Sequence, residues 1–327
     1  MYMKKLCNYT ILALCSFVLL MSVYSCRTVA DFGVLCNGEE WLDTDGNPIN
    51  AHGGGVLYHH GTYYWYGEHK SDFTTAAMVG ITCYSSKDLR QWKNNGVVLS
   101  VVDSVGADLE RGCVMERPKV IYNETTKQFV MWFHLELKGQ GYSAARTAVA
   151  VSDSPKGPFR YLHSMRVNPD VLPIDMSDKQ WGDMMQLNPK NYKKWWTKKW
   201  YAAVEKGLFL KRDISTGQMA RDMTLFKDED GKAYHIYSSE ENMTLHIAEL
   251  SADYCSHKGK YVRVAPGGMN EAPTIFKHSG TYWMITSGCT GWEPNAARMF
   301  SAPTIWGPWT QYDNPCKGEK AELTFGA

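Results

Sequence analysis

An excess of either charge is what this sequence lacks first. Its 35 Lys and Arg stand against 34 Asp and Glu, a net charge of +1 over 327 residues. No global field therefore draws the chain to nucleic acid or to an anionic membrane surface. It also has no C-x-x-C. Three of its nine cysteines (Cys7, Cys15 and Cys26) fall near the N-terminus, and Cys36, Cys83, Cys113, Cys255, Cys289 and Cys316 are widely spaced. That spacing excludes a zinc-finger type of site and leaves buried thiols or disulfides open. There is no G-x-S-x-G, no phosphate-binding Gly-Lys-Ser/Thr loop, no dinucleotide-binding glycine pattern and no H-E-x-x-H. Serine-hydrolase, nucleotide and zinc-protease chemistries lose their usual motifs. No metal ligand set is readable, and no cofactor is expected.

Long apolar runs are also missing, with one exception. MYMKKLCNYTILALCSFVLLMSVYSC places Lys4 and Lys5 before the apolar stretch Tyr9–Val23 and ends on small residues and Cys26. This reads as a signal peptide over residues 1–25 rather than a spanning helix. The Cys at the cleavage point predicts a lipoprotein, lipidated at Cys26, exported to the periplasm or outer membrane and touching the membrane through that anchor only. Residues 26–42 are expected to form a linker or strand.

What the chain does have is a recurring sentence. HGGGVLYHHGTYYWYGE (52–68), ERPKVIYNETTKQFVMWFH (116–134), RDMTLFKDEDGKAYHIYSSE (221–240) and NEAPTIFKHSGTYWMITSG (270–288) each read as apolar run, turn, apolar run. Gly61, Lys127, Gly231 and Gly280 mark the turns, and each unit is followed by a second strand pair. Internal repeats of this length, with apolar residues on both faces of each run (Thr147, Val149 and Val151 against Ala148 and Ala150), point to sheets stacked around an axis. The fold class is all-β: a β-propeller over residues 43–327 interrupted by a helical insertion at 163–219. The sequence stops at NPCKGEKAELTFGA, which reads as the first strand of a fifth blade. The expectation is a five-bladed protein truncated in its last blade.

Within the insertion, the stretch from Asp178 to Phe209 breaks strand grammar and reads as one or two helices split at Pro189. Its YKKWWTKKWY has three readings: an amphipathic helix packing its tryptophans on the propeller, a rim over a glycan, or a nucleic-acid platform. The first is the favoured reading, and no nucleic-acid partner is expected.

The first strand of each blade of a propeller lines the axis, so residues leading each repeat converge at one mouth. Those residues are His52/Gly53, Glu116, Asp222 and Glu271. Three carboxylates in one pocket suit acid/base cleavage of a glycosidic bond, one protonated and another ionised. They suit equally well the capping of turns at blade starts.

The motifs DTDGNPINAHGGG, YYWYGEHK, ERPKVIYN, RDMTLFKDEDGKAYHIYSSEEN, NEAPTIF and ITSGCTGWEPNAA resemble glycoside hydrolase family 43. Within it they resemble the branch of exo-β-1,3-galactanases (galactan 1,3-β-galactosidases). The resemblance implies an inverting five-bladed propeller enzyme. It implies that Glu271 is the general acid and Asp222 the residue that orients it and tunes its pKa. The position of the usual first-blade Asp base falls in AHGGG and holds no carboxylate. The galactanase branch shares that absence, carries Glu116 in its ERP motif as an auxiliary carboxylate, and uses a Gln of the fifth blade to position the water. That Gln would fall just after Ala327. Glu68, Tyr142, Asn242, Thr290 and Trp292 are candidates for contact with sugar.

The function expected is release of galactose from β-1,3-galactan or arabinogalactan, with a polysaccharide or oligosaccharide as partner. An α-L-arabinofuranosidase or β-D-galactofuranosidase of the same family is one alternative. A non-catalytic glycan-binding lipoprotein is another.

Overall fold

The computed structural model describes residues 39–71 and 74–325, and Cys26 with the whole 1–25 segment lies outside them. Four antiparallel sheets of four strands follow one another along the chain. The first holds β1 (His52–His59), β2 (Thr62–Glu68), β3 (Gly80–Ser86) and β4 (Lys93–Ser100). The second holds β5 (Val114–Asn123), β6 (Gln128–Glu136), β7 (Arg146–Ser152) and β8 (Arg160–Met165). The third holds β9 (Met223–Lys227), β10 (Ala233–Ser239), β11 (Thr244–Leu250) and β12 (His257–Val264). The fourth holds β13 (Asn270–His278), β14 (Thr281–Gly288), β15 (Arg298–Ala302) and β16 (Thr310–Tyr312). First strands are neighbours: β1 packs on β5, β5 on β9 and β9 on β13.

The arrangement is a β-propeller, with four blades among the described residues rather than five. The C-terminal stretch read as a fifth-blade strand forms a 3₁₀ turn at Ala321–Leu323 and a single bridge from Phe325 to Asn295. Its NPCKGEKAE half has too few apolar residues to pair as an inner strand.

Alternation explains why the sheets stack. In β6, Phe129, Met131, Phe133 and Leu135 enter a core shared with Tyr66, Ile81 and Cys83 of the first sheet. The intervening Val130 and Trp132 enter a core shared with Tyr237 and Ala248 of the third. Tyr234 and Ile236 of β10 then pack on Met284 and Phe300 of the fourth sheet. Because side chains point to opposite faces in turn, a strand apolar at every position must be covered on both sides. The four turn residues noted in the sequence all have left-handed backbones, including Lys127 at φ 60°.

The insertion is shorter than the sequence suggests. His163–Met165 belong to β8, and a bridge between Val167 and Gln218 closes the neck. Inside it lie α1 (Asp178–Met185), a 3₁₀ turn at Pro189–Tyr192, α2 (Lys198–Glu205) and α3 (Leu208–Asp213). Ser177 and Gln180 form a reciprocal capping box at α1, and Thr197 caps α2. Met184, Trp200, Val204, Phe209 and Leu210 are buried against the core between the second and third blades. Packing on the propeller holds for Trp200, whereas Trp195 and Trp196 are exposed.

The described cysteines, Cys83, Cys113, Cys255, Cys289 and Cys316, are free thiols; the first two are buried and the others half-buried.

Candidate active site

Three of the four first strands begin with the same irregularity. Pairing jumps from Glu116 to Lys119 in β5, from Glu271 to Thr274 in β13 and from His52 to Gly55 in β1. The residue after the leading one has a left-handed backbone in each case: Gly53 (φ 55°), Arg117 (φ 56°) and Ala272 (φ 44°). The next residue in β5 and β13 is Pro118 or Pro273, which has no N–H to give to a ladder. The E-x-P motif is thus a bulge, and a bulge re-aims the side chain beside it. For Arg117 and Ala272 the left-handed conformation is strained, as functional positions often are.

The re-aimed carboxylates do converge. A cavity of about 250 Å³ is lined by Glu116, Arg117, His134, Tyr142, Arg221, Asp222, Asn242, Glu271, Gly291 and Trp292. His52 is not among them; it lies in a shallower hollow beyond Trp292. In the first blade, a Cβ on Gly53 would come 2.7 Å from Glu68 Oε1, and one on Gly55 would come 2.4 Å from Lys119 Cδ. The glycines of AHGGG therefore make room for side chains from β2 and β5.

Glu271 accepts a hydrogen bond from Asn242 Nδ2 at 2.6 Å. Burial, and next the neighbouring Asp222 carboxylate, push its pKa up to about 7. Asp222 is gripped by Arg117 through two contacts, Nε to Oδ1 at 3.1 Å and Nη2 to Oδ2 at 2.9 Å. It also accepts the backbone N–H of Ala272 at 3.0 Å. Asp222 thus fixes the peptide that carries Glu271 while opposing its ionisation.

Glu116 is held in the opposite state. Burial alone would raise its pKa, but hydrogen bonds from His134 (Nδ1 to Oε2, 3.1 Å) and Tyr142 (hydroxyl to Oε1, 2.8 Å) bring it down to about 2. Burial would lower the pKa of His134, but Glu116 and Glu136 on its two ring nitrogens lift it to about 9. A buried carboxylate–imidazolium–carboxylate chain results.

Asn242 is positioned by an unusual turn. Glu240, Glu241 and Asn242 have φ of 53°, 59° and 61°, three left-handed residues without a glycine. Each is tied by its side chain. Glu240 is buried against Arg263 (2.6 and 2.8 Å) and His246 (3.0 Å), and Glu241 meets Arg212 (2.7 Å) and Arg221 (3.2 Å).

The remaining candidates divide. Trp292 is 63% exposed and overhangs the cavity, with Lys70 and Arg117 each 5.9 Å from its ring. Tyr142 lines the cavity through its bond to Glu116. Glu68 does not line it: it is buried behind Arg117, accepting that residue's N–H at 3.2 Å and pairing with Lys70 at 2.5 Å. Thr290 is exposed and serves its own loop, donating to Glu293 O at 2.7 Å and accepting from Asn295 at 2.8 Å. Arg117, His134 and Arg221 are wall residues that sequence reasoning did not name. Arg117 and Arg221 adjoin the leading acids in ERP and RDM, which was the available signal, whereas His134 sits inside an apolar run. Among the described residues, no cluster of His, Cys, Asp and Glu suits a metal ion.

Residues 188–322 match the profile of "Glycosyl hydrolases family 43". A solved β-1,3-galactosidase of that family, in complex with galactodeoxynojirimycin, is 61% identical, with a TM-score of 0.86 over 89% of this chain and 84% of the other. An exo-β-1,3-galactanase from Clostridium thermocellum is 37% identical (TM-score 0.68, 85% of this chain, 51% of the other). One from Phanerochaete chrysosporium, solved with galactose, is 32% identical (TM-score 0.66, 85% and 53%). The chain thus spans about half the length of these two. A β-D-galactofuranosidase of Aspergillus niger is 31% identical over 80 residues, 24% of this chain and 23% of its own.

Proposed function

Because the chain belongs to glycosyl hydrolase family 43, we propose that it is an exo-acting β-1,3-galactosidase that removes terminal galactose from β-1,3-galactan with inversion. The observation that carries this reading is Glu271. It is half-buried at the cavity, bonded by Asn242 and seated on a peptide fixed by Asp222. An acid kept protonated near neutral pH is what the departing glycosidic oxygen needs.

In this reading Glu271 gives its proton to the leaving oxygen while a solvent water attacks the anomeric carbon from the opposite face through an oxocarbenium-like state. The old C–O bond breaks, the new one forms with inversion, and the water's proton passes to solvent. Asp222 holds the acid's backbone. Glu116, ionised and already bonded on both oxygens, keeps a lone pair on each for a sugar hydroxyl and is a weak base. Trp292 offers a ring face at the rim. A cavity of about 250 Å³ suits a single sugar better than a chain, which supports action at an end. Following the reaction by NMR from its first minutes tests the claim: α-galactose should appear before β-galactose, and β-galactose first would contradict it.

A furanoside substrate is the second reading, favoured by the local similarity to the Aspergillus niger β-D-galactofuranosidase. Comparing aryl β-galactopyranoside with aryl arabinofuranoside and galactofuranoside separates the two. A purely glycan-binding role leaves the half-buried Glu271–Asp222–Arg117 arrangement without a purpose.

Two further parts belong to the proposal. A fifth blade is supported by apolar side chains left exposed at both ends of the row, Val56 and Tyr58 on β1 and Phe276 on β13. Export as a lipoprotein through Cys26 is supported by the sequence of residues 1–26; a Cys26→Ser chain that still labels with a palmitate analogue would overturn it.

A further inference from the structure

The insertion carries a surface that the proposed reaction leaves unused. From Met184 to Val204 the sequence has five lysines (Lys190, Lys193, Lys194, Lys198 and Lys199) and no acidic residue. All five are exposed, and among the described residues none of them is paired with a carboxylate. Lys199 sits over the ring of Tyr192 at 5.4 Å. Between the lysines, Trp195 is 41% exposed and Trp196 is 57% exposed.

These two rings are held in place. Trp195 stacks on the buried Trp200 at 5.2 Å and 26°, and Trp196 lies 5.1 Å from the same ring. Trp196 has φ 65°, rare for a bulky side chain. Thr197 fixes the turn, accepting the N–H of Trp200 at 3.2 Å and donating to Lys194 O at 3.3 Å. Packing alone accounts for Trp200. It does not account for two fixed, exposed indoles ringed by unpaired ammonium groups, a combination that marks an interaction surface.

We propose that the 190–200 turn is a second glycan-binding surface, which takes a polysaccharide chain bearing carboxylates, such as uronates. The indole faces stack on the C–H faces of sugar rings, and the lysines supply mobile point charges for carboxylates. The choice of a sugar polymer over other polyanions rests on the polysaccharide-hydrolase reading above. None of the residues lining the catalytic cavity comes from this turn, so the surface would tether the polymer rather than cleave it.

Affinity electrophoresis of the full chain in native gels containing polygalacturonate, neutral β-1,3-galactan or no polymer tests the proposal. Polygalacturonate should retard the protein most, and added salt should relieve the retardation. Trp196→Ala should weaken binding roughly tenfold, the scale of one aromatic contact. The Lys193→Gln/Lys194→Gln double variant leaves the rings untouched and should weaken it several-fold. Hydrolysis of an aryl β-galactoside should be unchanged in both. Absence of retardation, equal retardation of the variants, or stronger retardation by neutral galactan than by polygalacturonate would each overturn it. So would binding to phosphatidylglycerol vesicles that polygalacturonate fails to displace. Galactoside hydrolysis by the unmodified chain is scored separately, so a failed catalytic reading is distinguishable from a failed binding surface.

Discussion

Asn242 donates its side-chain N–H to Oε1 of Glu271 across 2.6 Å, and the orientation of that amide is dictated by Arg221. Arg221 Nη1 lies 3.5 Å from Asn242 Oδ1, and a guanidinium has nothing but donors. The amide must therefore turn its oxygen to Arg221 and its nitrogen to Glu271. With Oε1 occupied as an acceptor, Oε2 is the oxygen left to carry a proton when Glu271 is protonated. Replacing Asn242 by Asp puts a second carboxylate against the acid while keeping a residue that tolerates the left-handed backbone. The alkaline limb of kcat/KM should move to higher pH, with kcat reduced; an unmoved limb would show that the contact does not govern the acid.

Glu271→Gln removes the proton and keeps the shape. Activity should fall by about 10²–10⁴-fold, and the unmodified chain should lose activity as pH rises through about 7. The sign of the stability effect follows from the same shift. A carboxyl whose folded pKa is raised from 4.5 to about 7 favours the folded state less and less as pH rises across that window. The Gln variant should then melt at a higher temperature than its parent at pH 8 and show no such gain at pH 4. Equal melting temperatures at both pH values would contradict this.

Asp222→Asn separates a positioning role from a merely structural one. Losing the negative charge beside Glu271 should draw the alkaline limb to lower pH. Leaving the half-buried Arg117 guanidinium without its partner should cost about 1–3 kcal/mol of stability. A variant that is destabilised but keeps the parental pH profile would confine Asp222 to structure.

His134 ties the opposite wall. Its folded pKa of about 9 lies above the ordinary 6.5, so its contribution is complete below the ordinary value and is lost as pH rises through about 9. Glu116, held at about 2, contributes fully above 4.5 and loses its contribution as pH falls through about 2. Urea titrations of His134→Gln should therefore show its largest deficit near pH 5–6, shrinking from about pH 6.5 upward and gone above about pH 9. A deficit that does not vary with pH would indicate a packing defect instead.

Much of this site was legible in the sequence because the propeller repeats its grammar. Leading residues of successive repeats had to share an axis, and that placed Glu116, Asp222 and Glu271 together across 156 residues of chain. The backbone bulge behind E-x-P was not legible, since its left-handed residues are an Arg and an Ala rather than the glycines that announce such conformations. His134 was hidden in FVMWFHLE, where a buried imidazole reads as one more core position until its two carboxylate partners are known. Thr290 and Glu68 lie outside the cavity wall here, the first bonded within its own loop and the second behind Arg117. The four repeats correspond to the four described blades. The C-terminal stretch read as the start of a fifth instead forms a 3₁₀ turn and a single bridge, because turn residues and charges interrupt its apolar positions.

Arg117 belongs to the second blade, receives Glu68 of the first on its backbone N–H and clasps Asp222 of the third with its guanidinium. The first and third blades thus both hold this one residue of the second, the first by its backbone N–H and the third by its guanidinium. The unfolding of this catalytic centre should accordingly be all-or-none. Enzymatic activity and the far-ultraviolet signal of the sheets should vanish at the same denaturant concentration, and a chain missing any one of these blades should be unable to idle as a partly assembled intermediate.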